Sequence, residues 1–462
     1  MASSTTASPD LTEALATQAA ELRFDDLPED TVRDVKCLVL DSLGTILAAT
    51  RLGVGTSEVL ELARAQSGKP EATVIGFGDR LSVLMASLAN GGLVHALNYD
   101  AVGQGHLGSL LPGPLAVAEQ RGGVGGKEFI AALAAGAELT GRMNRALHAS
   151  HVNANEKFLE GTLLGVFGIT AATGRLLHLT PSQMMDAFGI TLMQCSGSME
   201  VVASGDPPVK AVYSAFSNHS AVLSAHLAKH GLGARMNVFE GRCGFFEMYY
   251  ESRHAHEVLY ENLGSTYTPA RIGFKTWPTG GGAGAWITAG AQLRAEHGVA
   301  FSAVEKVTMF IHPDHQVWME PIEERRRPAQ SAAAANGIVF WTAKALANGT
   351  CGLADLSIDG LVQPEFLHVS SRLSYAVIGE SDQQRLEVLT TDGQTLSVDV
   401  NPLNNTVDSS HTDEIIAKFR DSASWAVNGL DAAELDRIVE TVMELERTDD
   451  VSVLASLASS RR

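Results

Sequence analysis

Two lysines stand in turn-rich segments where an amine could take part in catalysis. Lys210 follows SGDPPV and is predicted to open a helix, where a cation opposes the helix dipole; such a local conflict favours a functional role. Lys275 lies in GFKTWPTGGGAG, where Trp277 and Pro278 stiffen the chain and the glycines let backbone amides approach a ligand. A buried lysine can become a neutral base, whereas a charged one stabilises an oxyanion. The alternative for Lys275 is a solvated side chain in a linker.

A carboxylate and an imidazole occur six residues apart, as Asp100 and His106, in the loop that follows a predicted helix. A carboxylate at this spacing can orient the imidazole or hold polar groups of a ligand. The alternative for His106 is a loop histidine satisfied by its neighbours. His95 lies on an apolar helix face and is interpreted as a core residue.

Metal and nucleic-acid sites are not predicted. The histidines and asparagines of 148–155 have no carboxylate at ligand spacing, and the four cysteines form no CxxC pair. With 34 Lys and Arg against 53 Asp and Glu, the net charge of −19 has the wrong sign for binding phosphates, so no nucleic-acid partner is expected.

Neither a secretory signal nor an apolar span of membrane length is found, so we expect a cytoplasmic protein with reduced thiols and no membrane partner.

The spacing of apolar residues predicts the elements that carry these side chains. Helical periodicity begins at Asp26 or Pro28 and recurs over 81–97, 126–143, 161–177, 182–193, 210–230 and 251–263. Strand patterns follow at 304–312 and in a hairpin of Arg385–Thr390 with 395–400, joined by Asp-Gly; the helical period returns over 412–457. These changes predict a mainly α protein. A large all-helical domain would comprise 1–270 and 405–462, with a smaller inserted α+β domain at 271–404.

Several motifs occur in the order and spacing of one protein family. The run NGGLVHALNYD ends at Asp100, and further matches are Gly161-Thr162, Lys210, Glu240-Gly241 and FKTWP around Lys275. The chain is thereby similar to the MmgE/PrpD family, which includes 2-methylcitrate dehydratase, cis-aconitate decarboxylase and iminodisuccinate epimerase. The resemblance implies a homodimer whose active site lies between the two domains and uses side chains alone, with no organic cofactor.

The resemblance also implies an activity and a set of site residues. It implies a cofactor-free lyase, of dehydratase or decarboxylase type, that acts on a small anionic di- or tricarboxylate through a carbanion next to a carboxylate. An isomerase or epimerase, or an inactive carboxylate-binding member, are the alternatives. The cleft is expected to be locally positive. The expected catalytic residues are Lys210, Lys275, His106 and Asp100, and the expected substrate-binding residues are Tyr213, Trp277, Arg142 and His151.

The sequence departs from the family pattern at three polar positions. The second aspartate of the family's Asp-Asp pair is Ala101, a family histidine has no counterpart in register in the segment that includes Leu159, and another family histidine is replaced by Tyr213. His148 or His151 lies near enough in sequence to substitute for the missing imidazole. These departures predict that the substrate or the reaction has diverged within the family.

Overall fold

The structure is a computed structural model that describes residues 10–104, 107–150, 157–280, 282–401 and 406–459. Helices predominate, which confirms the mainly α class. The helices of the first half are Leu11–Glu21, Glu29–Leu52, Thr56–Ala65, Val83–His95, Pro112–Arg121, Gly126–Ala149, Glu160–Leu176, Pro181–Leu192, Glu200–Ala203, Pro208–Val212, Ser214–Lys229, Phe245–Tyr250 and His256–Tyr260.

A four-stranded sheet lies in the second half of the chain. Its central strand Val304–Ile311 runs parallel to Leu373–Val377 and antiparallel to Arg385–Thr390, which forms the predicted hairpin with Thr395–Asp399. Gly393, in the turn of that hairpin, has a φ of 86°, a value that glycine adopts without strain. The accompanying helices are Ala283–His297, Ile322–Arg326, Ser331–Ala335, Ile338–Asn348, Ile358–Leu361 and Pro364–Ser370.

A small antiparallel sheet joins three distant parts of the chain. Strand Ile272–Lys275 pairs on one edge with Val102–Gly103 and on the other with Thr406–Val407. Phe274, in the middle strand, is fully buried. This sheet brings Lys275 beside the loop that carries Asp100. A further two-stranded sheet pairs Ala72–Thr73 with Arg80–Leu81.

The C-terminal helices are Thr412–Ala423, Ala432–Met443 and Ser452–Leu457. The first of them packs along Glu29–Leu52, as shown by the close approach of Phe419 to Gly44, where a Cβ would lie 3.2 Å from the Phe419 Cα. The chain therefore returns to its N-terminal helices after the four-stranded sheet. The predicted domain limits stay a prediction, and the limit at 404/405 falls outside the described residues.

Two predicted helices are interrupted. The helix expected over 210–230 is divided into Pro208–Val212 and Ser214–Lys229, so Lys210 lies in a separate short helix rather than at the start of a long one. The helix expected over 251–263 was wrong, because Glu251 and Ser252 adopt φ values of 53° and 55° and end Phe245–Tyr250. Within the expected range 251–263, only His256–Tyr260 is helical.

None of the described helices is by itself long and apolar enough to cross a membrane. Helices Glu29–Leu52 and Thr56–Ala65 are long and apolar enough only when they are taken together, and they are separated by a 95° bend.

Candidate functional site

The loop after helix Val83–His95 carries a buried carboxylate and imidazole in contact. His95 Nδ1 lies 2.9 Å from Asp100 Oδ1, and both side chains are almost completely buried. Burial lowers the pKa of His95, although the Asp100 charge acts in the opposite direction. Gly108 packs against Asp100, where a Cβ would lie 2.5 Å from the aspartate Cβ. His95, which was predicted to be a core residue, is buried, and it is also the hydrogen-bond partner of Asp100.

Lys275 is held at this loop by two hydrogen bonds. Its Nζ donates to the backbone carbonyl and to the side-chain Oδ1 of Asn98, each at 2.7 Å. Asn98 has a φ of 52°, and its Nδ2 donates to Oδ1 of Asn336 at 2.7 Å. Burial lowers the pKa of Lys275 to about 8, with Asp100 opposing this shift and the nearby charge of Lys418 adding to it. Because both partners of the amine are acceptors, Lys275 is held as a hydrogen-bond donor, and its ammonium form predominates below about pH 8.

Lys210 occupies a less polar environment. Its Nζ lies over the ring of Tyr213, 4.9 Å from the ring centroid, and Tyr213 in turn contacts His95 with their ring centroids 4.5 Å apart. In the part of the chain that the structure describes, no hydrogen bond to Lys210 Nζ is found. Burial lowers the pKa of Lys210, while the charges of Asp206 and Asp100 oppose the shift. A desolvated amine of this kind is suited to act as a base.

A buried ion pair supports the turn that precedes Lys210. Asp206 binds the guanidinium of Arg325, and both side chains are almost completely buried. Arg325 also donates to the backbone carbonyls of Glu320, at 3.1 Å, and Val202, at 3.3 Å. The arginine thereby ties the Lys210 turn to helix Ile322–Arg326 in the second half of the chain.

A second buried ion pair reaches the site from the C-terminal helices. Lys418 Nζ lies 2.6 Å from Asp41 Oδ1 and donates to the backbone carbonyl of Tyr99 at 2.7 Å. It also lies 3.9 Å from the centroid of the Tyr99 ring. The Tyr99 hydroxyl donates to the carbonyl of Thr276 at 3.2 Å. Lys418 therefore links the earliest helix of the site to the loop that carries Asp100, and Tyr99 extends this link to the residue after Lys275.

The described ionic groups of this cluster carry both signs of charge. Three lysines, at 210, 275 and 418, interact with three aspartates, at 41, 100 and 206. Because Asp206 is also paired with Arg325, these groups do not decide the sign of the charge, and the locally positive cleft stays a prediction. Lys418 is in direct contact with a buried carboxylate, that of Asp41, whereas Lys210 and Lys275 feel the charge of Asp100 without a described ion pair to it.

The structure does not bring all the predicted residues together. Arg142 is buried in an ion pair with Glu138 and donates to the carbonyls of Leu259, at 3.2 Å, and Glu261, at 2.7 Å, so its described polar contacts go to that segment and not to either lysine. Trp277 is half-buried two residues after Lys275. His106 and His151 lie outside the described residues.

Some members of the cluster were missed by sequence reasoning. Lys418 could have been found, because it lies one helical turn from Ile415, on the face of helix Thr412–Ala423 that is otherwise apolar. Asn98 lies inside the family motif that ends at Asp100, although no role was predicted for it; the remaining missed residues, for which no local signal exists, are Asp206, Arg325 and Asn336.

A cavity of about 170 Å³ adjoins the lysine cluster at Tyr213. Leu159 and Tyr213, two of the positions at which the sequence departs from the family pattern, both line it. Its apolar wall is completed by Val209 and Phe216, and its polar lining comprises Thr162, Gln194, Ser196, Ser198, Ser217 and Ser220. Two of the three departures from the family pattern therefore change one continuous surface.

Gly280→Ala tests the support of Lys275. A Cβ at Gly280 would lie 2.2 Å from Nδ2 of Asn98 and 3.0 Å from Oδ1 of Asn336, so the bond between these two amides must break. We expect a loss of about 1–3 kcal/mol in the free energy of unfolding, measured by urea denaturation. Gly233→Ala, where no atom lies within 4 Å of the new Cβ, is the control and should change stability little.

Comparison with known proteins agrees with the arrangement of motifs. A family model, the MmgE/PrpD N-terminal domain, matches residues 13–257. A cis-aconitate decarboxylase from Aspergillus terreus is 26% identical, covering 97% of this chain and 95% of its own length. A cis-aconitate decarboxylase-like protein from Aspergillus oryzae is 26% identical over 97% of both chains. The human cis-aconitate decarboxylase is 27% identical over 52% of this chain and 50% of its own.

Proposed function

Because the chain belongs to the MmgE/PrpD family, we propose that it is a lyase of the dehydratase or decarboxylase type acting on a small di- or tricarboxylate. The observation that carries this proposal is the convergence of two buried lysines, Lys210 and Lys275, on the Asp100–His95 pair. The reaction passes through a carbanion next to a carboxylate and uses side chains alone.

The two lysines take different roles because their surroundings differ. In a dehydration, the neutral amine of Lys210 removes the proton from the carbon next to the carboxylate, and hydroxide leaves after it is protonated. In a decarboxylation, CO₂ leaves first, and Lys210 in its protonated form delivers a proton to the resulting carbanion and is reprotonated from solvent. In both cases the charged Lys275 stabilises the negative charge that develops on the carboxylate oxygens.

The Asp100–His95 pair orients the centre of the site. The negative charge of Asp100 raises the pKa of both lysines, against the effect of burial. Its carboxylate also fixes the imidazole of His95 by a 2.9 Å contact. The ring of Tyr213 lies between His95 and Lys210. Burial raises the pKa of Tyr213 well above its ordinary value, so its hydroxyl stays protonated and can donate to a substrate oxygen. His106 is proposed as the acid that protonates the leaving hydroxide.

The names of the relatives and the cavity beside Tyr213 together support a choice of substrates to test. The names of the relatives make cis-aconitate the first substrate to test, and 2-methylcitrate and iminodisuccinate follow from the family. Leu159 in the cavity wall favours a substrate that places a hydrocarbon segment there, while the serines accept or donate hydrogen bonds to a carboxylate.

The proposal is tested by incubating the purified protein with each of the three carboxylates in deuterated water and recording proton NMR spectra. Turnover of any of them, or exchange of a proton next to a carboxylate, establishes carbanion chemistry. If all three remain unchanged and exchange no proton, the lyase proposal fails for these substrates.

The pH dependence of carboxylate binding reports the charge on Lys275. Its pKa of about 8 means that the ammonium is present below pH 8 and lost above it. The affinity for a dicarboxylate, measured by calorimetry, should therefore fall as pH rises through 8, by up to about tenfold per pH unit. Lys275→Arg keeps its charge over this range, so it should remove the fall. If the dicarboxylate affinity of Lys275→Arg still falls with pH, at the same midpoint as in the original protein, the role of Lys275 is contradicted.

A carboxylate-binding protein without turnover is the second candidate. It is favoured by the apolar Leu159 and Ala101 at positions where the family has polar residues. This candidate predicts thermal stabilisation by a bound carboxylate without any proton exchange at carbon. The NMR experiment above separates the two candidates.

A further inference from the structure

Three metal-ligating side chains meet outside the lysine cluster. Oε1 of Glu240 lies 3.1 Å from Nε2 of His254 and also binds Nδ1 of His256. One ligand atom from each residue lies within 4.8 Å of the other two. A tetrahedral zinc site with bonds of about 2.0–2.1 Å places its ligand atoms about 3.3 Å apart, so small side-chain rotations suffice to admit an ion. We propose that Glu240, His254 and His256 bind a divalent transition-metal ion of the zinc type.

The carboxylate ligand stands on a closely bonded turn. The backbone N–H of Glu240 donates to Oδ1 of Asn237 at 3.1 Å. A Cβ at Gly241 would lie 2.4 Å from the carbonyl oxygen of Asn237, so the turn requires glycine there. The N–H of Phe245 donates to the carbonyl of Val238 at 2.7 Å and closes the turn. These bonds fix the backbone from which Glu240 projects.

The two imidazoles are held by independent contacts. His254 stacks on Phe246, with the ring centroids 4.0 Å apart and the planes 13° from parallel. Between the histidines, the N–H of Ala255 donates to the carbonyl of Ala146 at 2.8 Å, which ties this segment to helix Gly126–Ala149. Arg142 holds the helix that begins at His256 through the carbonyls at its C-terminal end. The ligands are therefore positioned by packing as well as by their mutual hydrogen bonds.

The site is open on one side and closed on the other. The side chain of His254 is 8% exposed and that of Glu240 is 18% exposed, whereas His256 is 61% exposed. A recess of about 580 Å³ borders His256 and is also lined by Glu257 and Glu261, whose charges attract a cation. The recess leaves room for water to complete the coordination of an ion. Tyr260 hydrogen-bonds to Glu240 and orients the carboxylate from outside the ligand set.

The donor set determines the class of ion. Two imidazoles with one carboxylate suit zinc and its neighbours in the first transition series, whereas Mg²⁺ and Ca²⁺ prefer oxygen ligands. In the ion-free state both rings share Oε1 of Glu240, and a metal ion would replace the protons in these two bonds. The sequence did not predict this site, because Glu240 precedes the His-x-His pair by fourteen positions across a turn and a helix.

Titration of the metal-free, full-length protein tests the proposal. We expect calorimetry with Zn²⁺ to show one equivalent bound per chain, and Co²⁺ at the same site to develop visible d–d absorption. Glu240→Gln and His256→Gln should each weaken binding more than tenfold. The control is His297→Gln, an exposed histidine at the end of helix Ala283–His297, which should leave the affinity unchanged.

The outcomes distinguish this site from other histidines. Because His256 is mostly exposed, its substitution should leave the melting temperature of the metal-free protein nearly unchanged, and this measurement verifies folding. Absence of saturable binding, or binding of unchanged affinity in both Glu240→Gln and His256→Gln, overturns the proposal. The lysine cluster shares none of these ligands, so neither result bears on the proposed lyase activity.

Discussion

Replacing Lys210 or Lys275 by methionine is expected to lower kcat/KM by about 10²–10⁴-fold while the protein remains folded. Methionine keeps the straight chain and much of the buried volume and removes only the amine. Lys210→Met removes the amine that exchanges a proton with the substrate carbon. Lys275→Met removes the cation that faces the developing negative charge. The measurement is steady-state turnover of whichever carboxylate proves to be the substrate.

The two variants should differ in stability. Lys210→Met leaves Asp206 paired with Arg325, so little destabilisation is expected. Lys275→Met leaves the backbone carbonyl and Oδ1 of Asn98 without their donor, which should cost about 1–3 kcal/mol in the free energy of unfolding. Thermal unfolding followed by circular dichroism checks both expectations.

Lys344→Met is the matched control. Lys344 is also fully buried, and it pairs with Asp355 at 3.0 Å and donates to the carbonyl of Gly360 at 2.7 Å, with no described contact to the cluster. Its replacement should lower the melting temperature and leave kcat/KM of the folded protein within about twofold. Activity within a few-fold of the original in both Lys210→Met and Lys275→Met would refute the catalytic assignment.

The periodic segments explain how much of the fold the sequence could predict. Residues that recur every three or four positions from Val35 to Ile46 are buried along one helix, and strand Val304–Ile311 and its hairpin agree with their alternating patterns. The break in the helix expected over 251–263 depends on two left-handed residues, Glu251 and Ser252, neither of which is a glycine. Local patterns do not reveal such a break, because residues other than glycine adopt this conformation uncommonly.

The residues of the candidate site, like the elements of the fold, could be predicted only in part. Lys210 and Lys275 could be found because each stands in an unusual turn, and Asp100 because it follows a family motif. Asn98 and Asn336 could not be paired from the sequence, since they lie 238 positions apart and meet only when the three-stranded sheet and helix Ser331–Ala335 are in place. A side chain that acts by supporting another carries no local signal of its own.

Replacing Lys418 by methionine is expected to destabilise the fold by about 3–5 kcal/mol, measured by urea denaturation, because it leaves the buried carboxylate of Asp41 without its partner. The matched control lies on the same helix. Arg420 pairs with Asp436 at 2.6 Å, but these side chains are 40% and 55% exposed, so Arg420→Met should cost no more than about 1 kcal/mol. Equal losses in the two variants would contradict the buried pair.

The same substitution should change the titration of Lys275. The charge of Lys418 lowers the pKa of Lys275, and Asp41 raises it. Lys418→Met removes the first effect and keeps the second, so the fall in dicarboxylate affinity should move to a pH above 8. In the double variant Asp41→Asn with Lys418→Met, both charges are absent; the midpoint should return toward 8, and part of the lost stability should be recovered because no unpaired carboxylate remains buried. A midpoint that does not move in Lys418→Met would mean that the C-terminal helix supports the fold without influencing the lysine.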